Sequence, residues 1–129
     1  MTKAGLDLTA VAASGRQVIE RYAASGFRVS GVIYRGPVLV FPDEAQAWSV
    51  VGGEPLTFAS LAAVVAHGDV ELLLLGLGRR FAPLAPRLRA ELRAAGIAVE
   101  AMDTGAACRT YNVLVVEDRR VAAALLPPV

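Results

Sequence analysis

The clearest alternation of apolar and polar positions lies in the last third of the chain, from Gly96 to Leu126. Ile97 to Ala101 is a short run that favours a strand, and Val121 to Leu126 is an apolar run of strand length. Between these runs, apolar side chains recur at i, i+4, i+7 and i+8, the spacing of a helix with one face toward a core: Ala107, Tyr111, Leu114 and Val115. Asp103 and Thr104 carry side-chain oxygens that can cap the start of this helix. The pattern therefore predicts a strand, a capped helix, a turn and a strand.

The middle of the chain predicts the preceding elements of the same sheet. Glu71 to Gly76 is a continuous apolar run, which is typical of a parallel strand covered on both faces. A helix is predicted from Leu84 to Ala95 because apolar residues repeat on one face and Gly96 follows as a stop signal. Another helix is predicted from Phe58 to Ala66, with Thr57 as its cap. The strand at Glu71 to Gly76, the helix at Leu84 to Ala95 and the strand that starts at Ile97 are then expected to form a β-α-β unit with a right-handed crossover.

The first third of the chain has weaker patterns. Residues 1–15 predict a loosely attached arm, and Arg16 to Gly26 has a helix-like spacing that fits irregular backbone equally well. Phe27 to Tyr34 and Pro37 to Phe41 are β-rich, and the gap at Arg35-Gly36 predicts a hairpin between them. We therefore expect an N-terminal arm over residues 1–25. Residues 26–129 are expected to form a single α/β domain, three layers (β/α/β) with a mixed central sheet, a β-α-β unit and an added N-terminal β-hairpin.

Composition narrows the function without identifying it. The 129 residues suit one domain with a large core, since 55% are apolar and 19% are charged. A net charge of +1 gives no broad attraction to nucleic acid. No stretch has the ~20 apolar residues that cross a bilayer. We expect a cytoplasmic protein without an integral membrane segment.

Cysteine and histidine offer little chemistry in this sequence. The single cysteine, Cys108, excludes an internal disulfide and a cysteine-based zinc site. His67 lies at the end of a predicted helix, where the helix dipole favours a cation, and has no second ligand at metal-binding spacing. We predict neither a metal site nor a cofactor.

Two segments are expected to meet where the central strands end. Gly76, Gly78 and Arg79 follow the apolar strand, where open α/β sheets place their ligands. The turn has only two of the three glycines in the dinucleotide-binding pattern. It therefore predicts a crevice for a small anion or a partner, and not a dinucleotide site. The helix that starts at Thr104 brings the remaining candidates to the same rim: Thr104, Cys108, Arg109 and Asn112.

The residues of this rim form no catalytic arrangement that the sequence can identify. No histidine lies near Cys108 in sequence to activate it, so a buried, inert thiol is the simpler interpretation. Asp103 is explained first by capping, and Asn112 by a hydrogen bond to a neighbouring loop. Enzyme activity therefore has no support from the residues themselves.

A family resemblance adds what these patterns leave open. The segments Met102-Asp103-Thr104, Arg109 to Leu114 and Arg120 to Pro127 resemble the small α/β family of the mitochondrial complex I (NADH:ubiquinone oxidoreductase) alpha subcomplex assembly factor and the adipogenesis-associated domain protein. Leu74 to Gly78 resembles the strand and glycine turn of that family, with Leu77 where a small hydroxyl residue is common.

The resemblance implies a bacterial member that binds proteins, with complex I subunits or assembly factors as partners and a peripheral place at the inner membrane through them. It implies no catalytic mechanism. The alternative is a domain that binds a small anion, or acts as an enzyme, at the same rim. In that alternative Arg109 would hold the anion, and Cys108 or Asp103 would lie near the reacting group.

Overall fold

The computed structural model describes residues 8–51, 54–79 and 83–128. The helices in these ranges are α1 (Leu8–Ala13), α2 (Ala62–His67), α3 (Pro86–Ala94) and α4 (Thr104–Val116). The strands are β1 (Ile19–Ala23), β2 (Gly26–Val29), β3 (Val32–Arg35), β4 (Val38–Val40), β5 (Ala45–Ala47), β6 (Leu72–Leu77), β7 (Ala98–Met102) and β8 (Val121–Leu126). No helix among the described residues is both long and apolar enough to span a bilayer.

The central sheet is mixed, as the sequence predicts, and has the strand order β5-β4-β8-β6-β7. Strand β6 pairs in parallel with β7 on one side and with β8 on the other. Strand β4 pairs with β8 and β5 in antiparallel fashion. Helix α3 joins β6 to β7, and α4 carries the chain back across β6 to β8. Two right-handed crossovers in opposite directions place their helices on opposite faces of the sheet.

Alternate residues of the central strands serve two separate cores, because successive side chains of a strand point to opposite faces. On one face, Leu74 and Leu125 pack with α1, α4 and the first three strands. On the other face, Leu73 and Leu75 pack with α2 and α3. The central sheet is therefore covered on both sides, and the expected three-layer α/β class is confirmed.

The first third of the chain differs from the sequence-based prediction. Within Arg16 to Gly26, where a helix or irregular backbone was expected, residues 19–23 form strand β1. This strand pairs with β2 in a three-stranded antiparallel sheet of order β1-β2-β3. The expected start of the domain at residue 26 falls inside this first hairpin. Strand β1 pairs with β2 and packs against α4, which is distant in sequence. Tertiary contacts therefore decide its structure, and its local apolar spacing does not.

The hairpin predicted at Arg35-Gly36 is wrong. The reversal occurs at Ser30-Gly31, whose φ angles are 44° and 85°. Two residues with positive φ match the tight turn whose twist suits a two-residue hairpin loop. Gly36 instead carries the chain to the central sheet, where Val38 pairs with Leu125 and Ala47.

The short segment that leads into β1, residues 16–19, includes the first residue of that strand, lies along α4 and is here named the strap. The Asn112 side chain accepts a hydrogen bond from the Ile19 N–H (3.0 Å) and donates one to the Ile19 carbonyl (2.8 Å). The buried Tyr111 hydroxyl donates to the Gln17 carbonyl (3.0 Å). Arg16 donates to the Val115 carbonyl (3.1 Å) at the end of the helix. The strap thus fixes the three-stranded sheet to α4.

We predict that Asn112→Ala lowers the free energy of unfolding by about 2–4 kcal/mol, because it leaves two buried backbone groups of Ile19 without partners. Urea denaturation measures this change. Val113→Ala is the matched control, since Val113 is the next residue of α4 and is exposed; it should change stability by no more than about 0.5 kcal/mol. Equal effects of the two substitutions would contradict the role assigned to Asn112.

Candidate functional site

The predicted rim begins with a junction of three elements at Thr104. The Thr104 hydroxyl accepts a hydrogen bond from the Gly78 N–H (2.8 Å) and donates one to the Leu126 carbonyl (2.6 Å). The Thr104 N–H donates to the Gly78 carbonyl (2.9 Å). Thr104 is fully buried and ties the ends of β6 and β8 to the start of α4. Its polar groups are used within the protein.

Gly76 serves the same junction. A Cβ atom added there would lie 2.8 Å from the Leu125 Cδ2 and 3.1 Å from the Thr104 Cα. The first distance is shorter than real Cβ contacts and the second is tighter than most of them, so a side chain at this position would push α4 or Leu125 away from the strand. The absence of a side chain at Gly76 is explained by packing, without a ligand.

The start of α4 is capped as predicted. The Asp103 carboxylate accepts a hydrogen bond from the Ala106 N–H (2.9 Å). With the Thr104 amide donating to Gly78, at least two of the first donors of the helix are already satisfied by protein groups. Fewer free amides are therefore left at the start of α4 to bind the anion that the sequence predicted there. Arg79 is exposed and donates to the Pro128 carbonyl (3.3 Å), and Arg80 and Phe81, the rest of that loop, lie outside the described residues.

Cys108 lies one turn further along α4 and is buried. Burial raises the pKa of its thiol from 9.0 to about 12, although the neighbouring Arg109 charge acts in the opposite direction. The thiol is therefore protonated at neutral pH, whereas a nucleophilic cysteine is a thiolate. This environment is that of a small apolar core residue.

Arg109, Cys108 and Asn112 lie on the side of α4 that faces β1. They border an open groove of about 420 Å³ whose opposite wall is Ile19, Glu20, Arg21 and Tyr22. Arg109 donates to the Tyr22 hydroxyl (3.3 Å), and that hydroxyl lies over Gly105, where an added Cβ would be 2.8 Å from it. The predicted rim is thus two places: a sealed junction at Gly76, Gly78 and Thr104, and an accessible groove at Arg109.

A second polar group was not expected from the sequence. Asp43, Glu44 and His67 bring their possible ligand atoms within 4.8 Å of one another. The His67 Nε2 already pairs with the Asp43 carboxylate (2.9 Å), and its ring stacks on Phe41 with centroids 4.3 Å apart. The two carboxylates are exposed, so the cluster does not by itself indicate a metal. His67 lies 24 positions after Asp43, so no local spacing could have predicted the cluster.

Comparison with known proteins places the chain in a family. A family model described as "Protein of unknown function (DUF498/DUF598)" matches residues 19–126, from the start of β1 to the end of β8. The chain belongs to this family. Its matched region includes β1 and the helix that carries Arg109, so the DUF498/DUF598 domain contains both walls of the groove.

Relatives of known name include bacterial and eukaryotic proteins. An uncharacterised Rhodobacter capsulatus protein is 42% identical over 88% of this chain and 87% of its own length. NADH dehydrogenase [ubiquinone] 1 alpha subcomplex assembly factor 3 of Danio rerio is 38% identical, over 90% of this chain and 67% of its own length. The human protein of that name is 33% identical over 85% of this chain, which spans 60% of the human protein. The family resemblance predicted from the sequence is confirmed.

Solved structures share the fold. A Bordetella parapertussis protein has a TM-score of 0.80 and 36% identity, covering 88% of this chain and 97% of that one. A Bordetella pertussis protein described as an Mth938-like domain has a TM-score of 0.78 and 29% identity, covering 99% and 93%. The same two-sheet architecture therefore accompanies these sequences.

The Cys108 thiol predicts a pH dependence of stability. The unfolded chain releases this proton near pH 9.0 and the native protein near pH 12. The native state therefore binds more protons in this window, so the stabilisation is complete below pH 9 and is lost as pH rises toward 12. Cys108→Ala should make the alkaline fall of the unfolding free energy shallower by up to about 1.4 kcal/mol per pH unit. Urea denaturation at several pH values tests this, and an unchanged slope would contradict it.

The close approach at Gly76 predicts that Gly76→Ala destabilises the protein by about 1–3 kcal/mol, because the added methyl group overlaps Leu125 and the backbone of Thr104. Thermal or urea unfolding measures the change. A variant as stable as the natural protein would show that α4 can move away from β6 at no cost.

Proposed function

We propose that this protein acts by binding other proteins during the assembly of a membrane-bound respiratory complex of the complex I type. The observation that carries the proposal is its identity of 33–38% with human and zebrafish proteins named as complex I assembly factors, over 85–90% of the chain. In this proposal the chain is a bacterial, cytoplasmic member of the family. It reaches the inner membrane through its partners, which are complex I subunits or other assembly factors.

The geometry of the rim supports binding over catalysis. The Thr104 hydroxyl and the Asn112 amide are engaged in hydrogen bonds that hold the fold together. The Cys108 thiol is buried and protonated. Asp103 caps its helix. Each of these four side chains thus has a structural role.

The alternative proposal is a small-anion site in the groove at Arg109. Its support is the opening of about 420 Å³ beside an exposed guanidinium and the Tyr22 hydroxyl. Arg109 can offer several N–H donors to a carboxylate or phosphate. In this version neither Cys108 nor Asp103 serves as a reacting group, because the Cys108 thiol is buried and the Asp103 carboxylate caps α4.

We predict that the tagged protein, crosslinked in its own cells and purified, recovers complex I subunits or assembly proteins, which mass spectrometry identifies. Arg109→Ala should weaken this recovery if the groove contributes to the contact. Arg93→Ala on α3 is the matched control, since it removes one exposed charge from the opposite side of the central sheet. Both variants should remain folded.

Two results would contradict the proposed assembly role. A preparation that contains no protein partner but carries a stoichiometric small anion, lost in Arg109→Ala, would favour the alternative. Recovery of proteins unrelated to respiratory complexes would leave protein binding in place and remove the assembly role.

A further inference from the structure

The outer face of the three-stranded sheet is basic and uncovered. Strand register places Arg21 opposite Arg28, Arg28 opposite Ile33, and Gly26 opposite Arg35. Paired residues of an antiparallel sheet point to the same side, so these side chains share the face turned away from the core residues Phe27 and Val29. We name the set Arg21, Arg28, Ile33 and Arg35 the basic face.

The charges of the basic face are poorly compensated within the chain. Arg28 pairs with Glu20 (3.1 Å), and the same Glu20 oxygen also accepts from the Gly31 N–H (2.8 Å). Across the described residues, Arg21 and Arg35 have no acidic partner within ion-pair distance. Four arginines elsewhere do pair with acidic side chains: Arg16, Arg87, Arg119 and Arg120. Like charges directly opposite each other destabilise a sheet, so this arrangement costs stability in the isolated protein.

The basic face also contains a groove and an exposed apolar side chain. A shallow groove of about 240 Å³ lies over Gly26, bordered by the three arginines and Ile33. The Ile33 side chain is 66% exposed, the highest value, shared with Val51, among the large apolar residues described. A groove with an apolar wall and cationic edges fits an extended segment that carries both carboxylates and an apolar side chain.

We propose that the basic face docks an acidic segment of a partner protein, whose carboxylates pair with Arg21, Arg28 and Arg35 and whose apolar side chain contacts Ile33. The proposal deepens the protein-binding function proposed above and rests on it. Arginine suits this role because its planar guanidinium binds carboxylates through two parallel hydrogen bonds. An anionic membrane surface fits less well, since lipid-binding patches usually gather about 4–8 basic residues, and this face has three beside one glutamate.

Two double variants of the full chain separate this role from a general effect of charge. Arg21→Ser/Arg35→Ser removes two charges from the basic face, and among the described residues neither arginine side chain makes an ion pair or hydrogen bond that would be broken. Arg87→Ser/Arg93→Ser removes two charges from α3, on the far side of the central sheet. Both variants change the net charge by the same amount. Urea denaturation should show that the first variant is at least as stable as the natural protein, because the repulsion between Arg21 and Arg28 is relieved.

The binding measurement is an NMR titration with a short synthetic peptide of glutamates around one central leucine. Backbone amide shifts should gather on β1, β2 and β3, and added salt should weaken them. The face variant should bind roughly three- to tenfold more weakly, the size expected for two exposed ion pairs. The α3 variant should bind as the natural protein does.

Other outcomes overturn the proposal. Shifts spread over the whole surface, or equal weakening in both variants, would show a non-specific charge effect. Binding to vesicles of phosphatidylcholine and phosphatidylglycerol that depends on Arg21 and Arg35, with no binding of the peptide, would assign the face to a membrane surface instead.

The cellular crosslinking experiment separates this proposal from the broader one. If the natural protein recovers complex I proteins and the face variant recovers them equally well, the docking face is wrong while the proposed function stands. If the natural protein recovers none, the proposed function fails, and the peptide titration alone then decides whether the face binds acidic segments.

Discussion

The two hydrogen bonds between Asn112 and the backbone of Ile19 are the contact on which the arrangement of this protein depends. They hold an amide side chain of the longest described helix against the first strand, and both residues are buried. With Tyr111 and Arg16 on either side, they decide where the three-stranded sheet lies relative to the central sheet. The groove at Arg109 and the orientation of the basic face both follow from that placement.

The second half of the fold was predictable from the sequence because its signals are local. The apolar run at β6, the cap at Asp103 and the apolar stripe of α4 can each be recognised within a few residues, and the structure confirms them. The first third was mispredicted because β1 has only Ile19 buried and no alternation to reveal it. The turn at Ser30-Gly31 carries a recognisable dipeptide, but the apolar residues around it read as one continuous strand.

The arrangement of the candidate site was likewise predictable only where the signals are local. Thr104, Gly76 and Gly78 do meet, as the ends of adjacent strands require, and they form a structural junction. The partner of Arg109 is Tyr22, which is 87 residues away in sequence, and only the tertiary fold brings the two together. A family of unknown function whose polar residues mostly build the fold is better understood through its exposed surfaces than through a search for catalytic groups.

The strap also bears on how the chain is made. Residues 16–19 leave the ribosome early, whereas their partners on α4 follow more than ninety positions later. The core that contains Phe27 and Val29 also contains Tyr111, Val115 and Val121, so the cover of this apolar side is complete only when nearly the whole chain has been synthesised. Nascent chains with exposed apolar surface of this kind are prone to aggregate and are held by chaperones. Folding of this small domain during synthesis therefore depends on the last third of its chain.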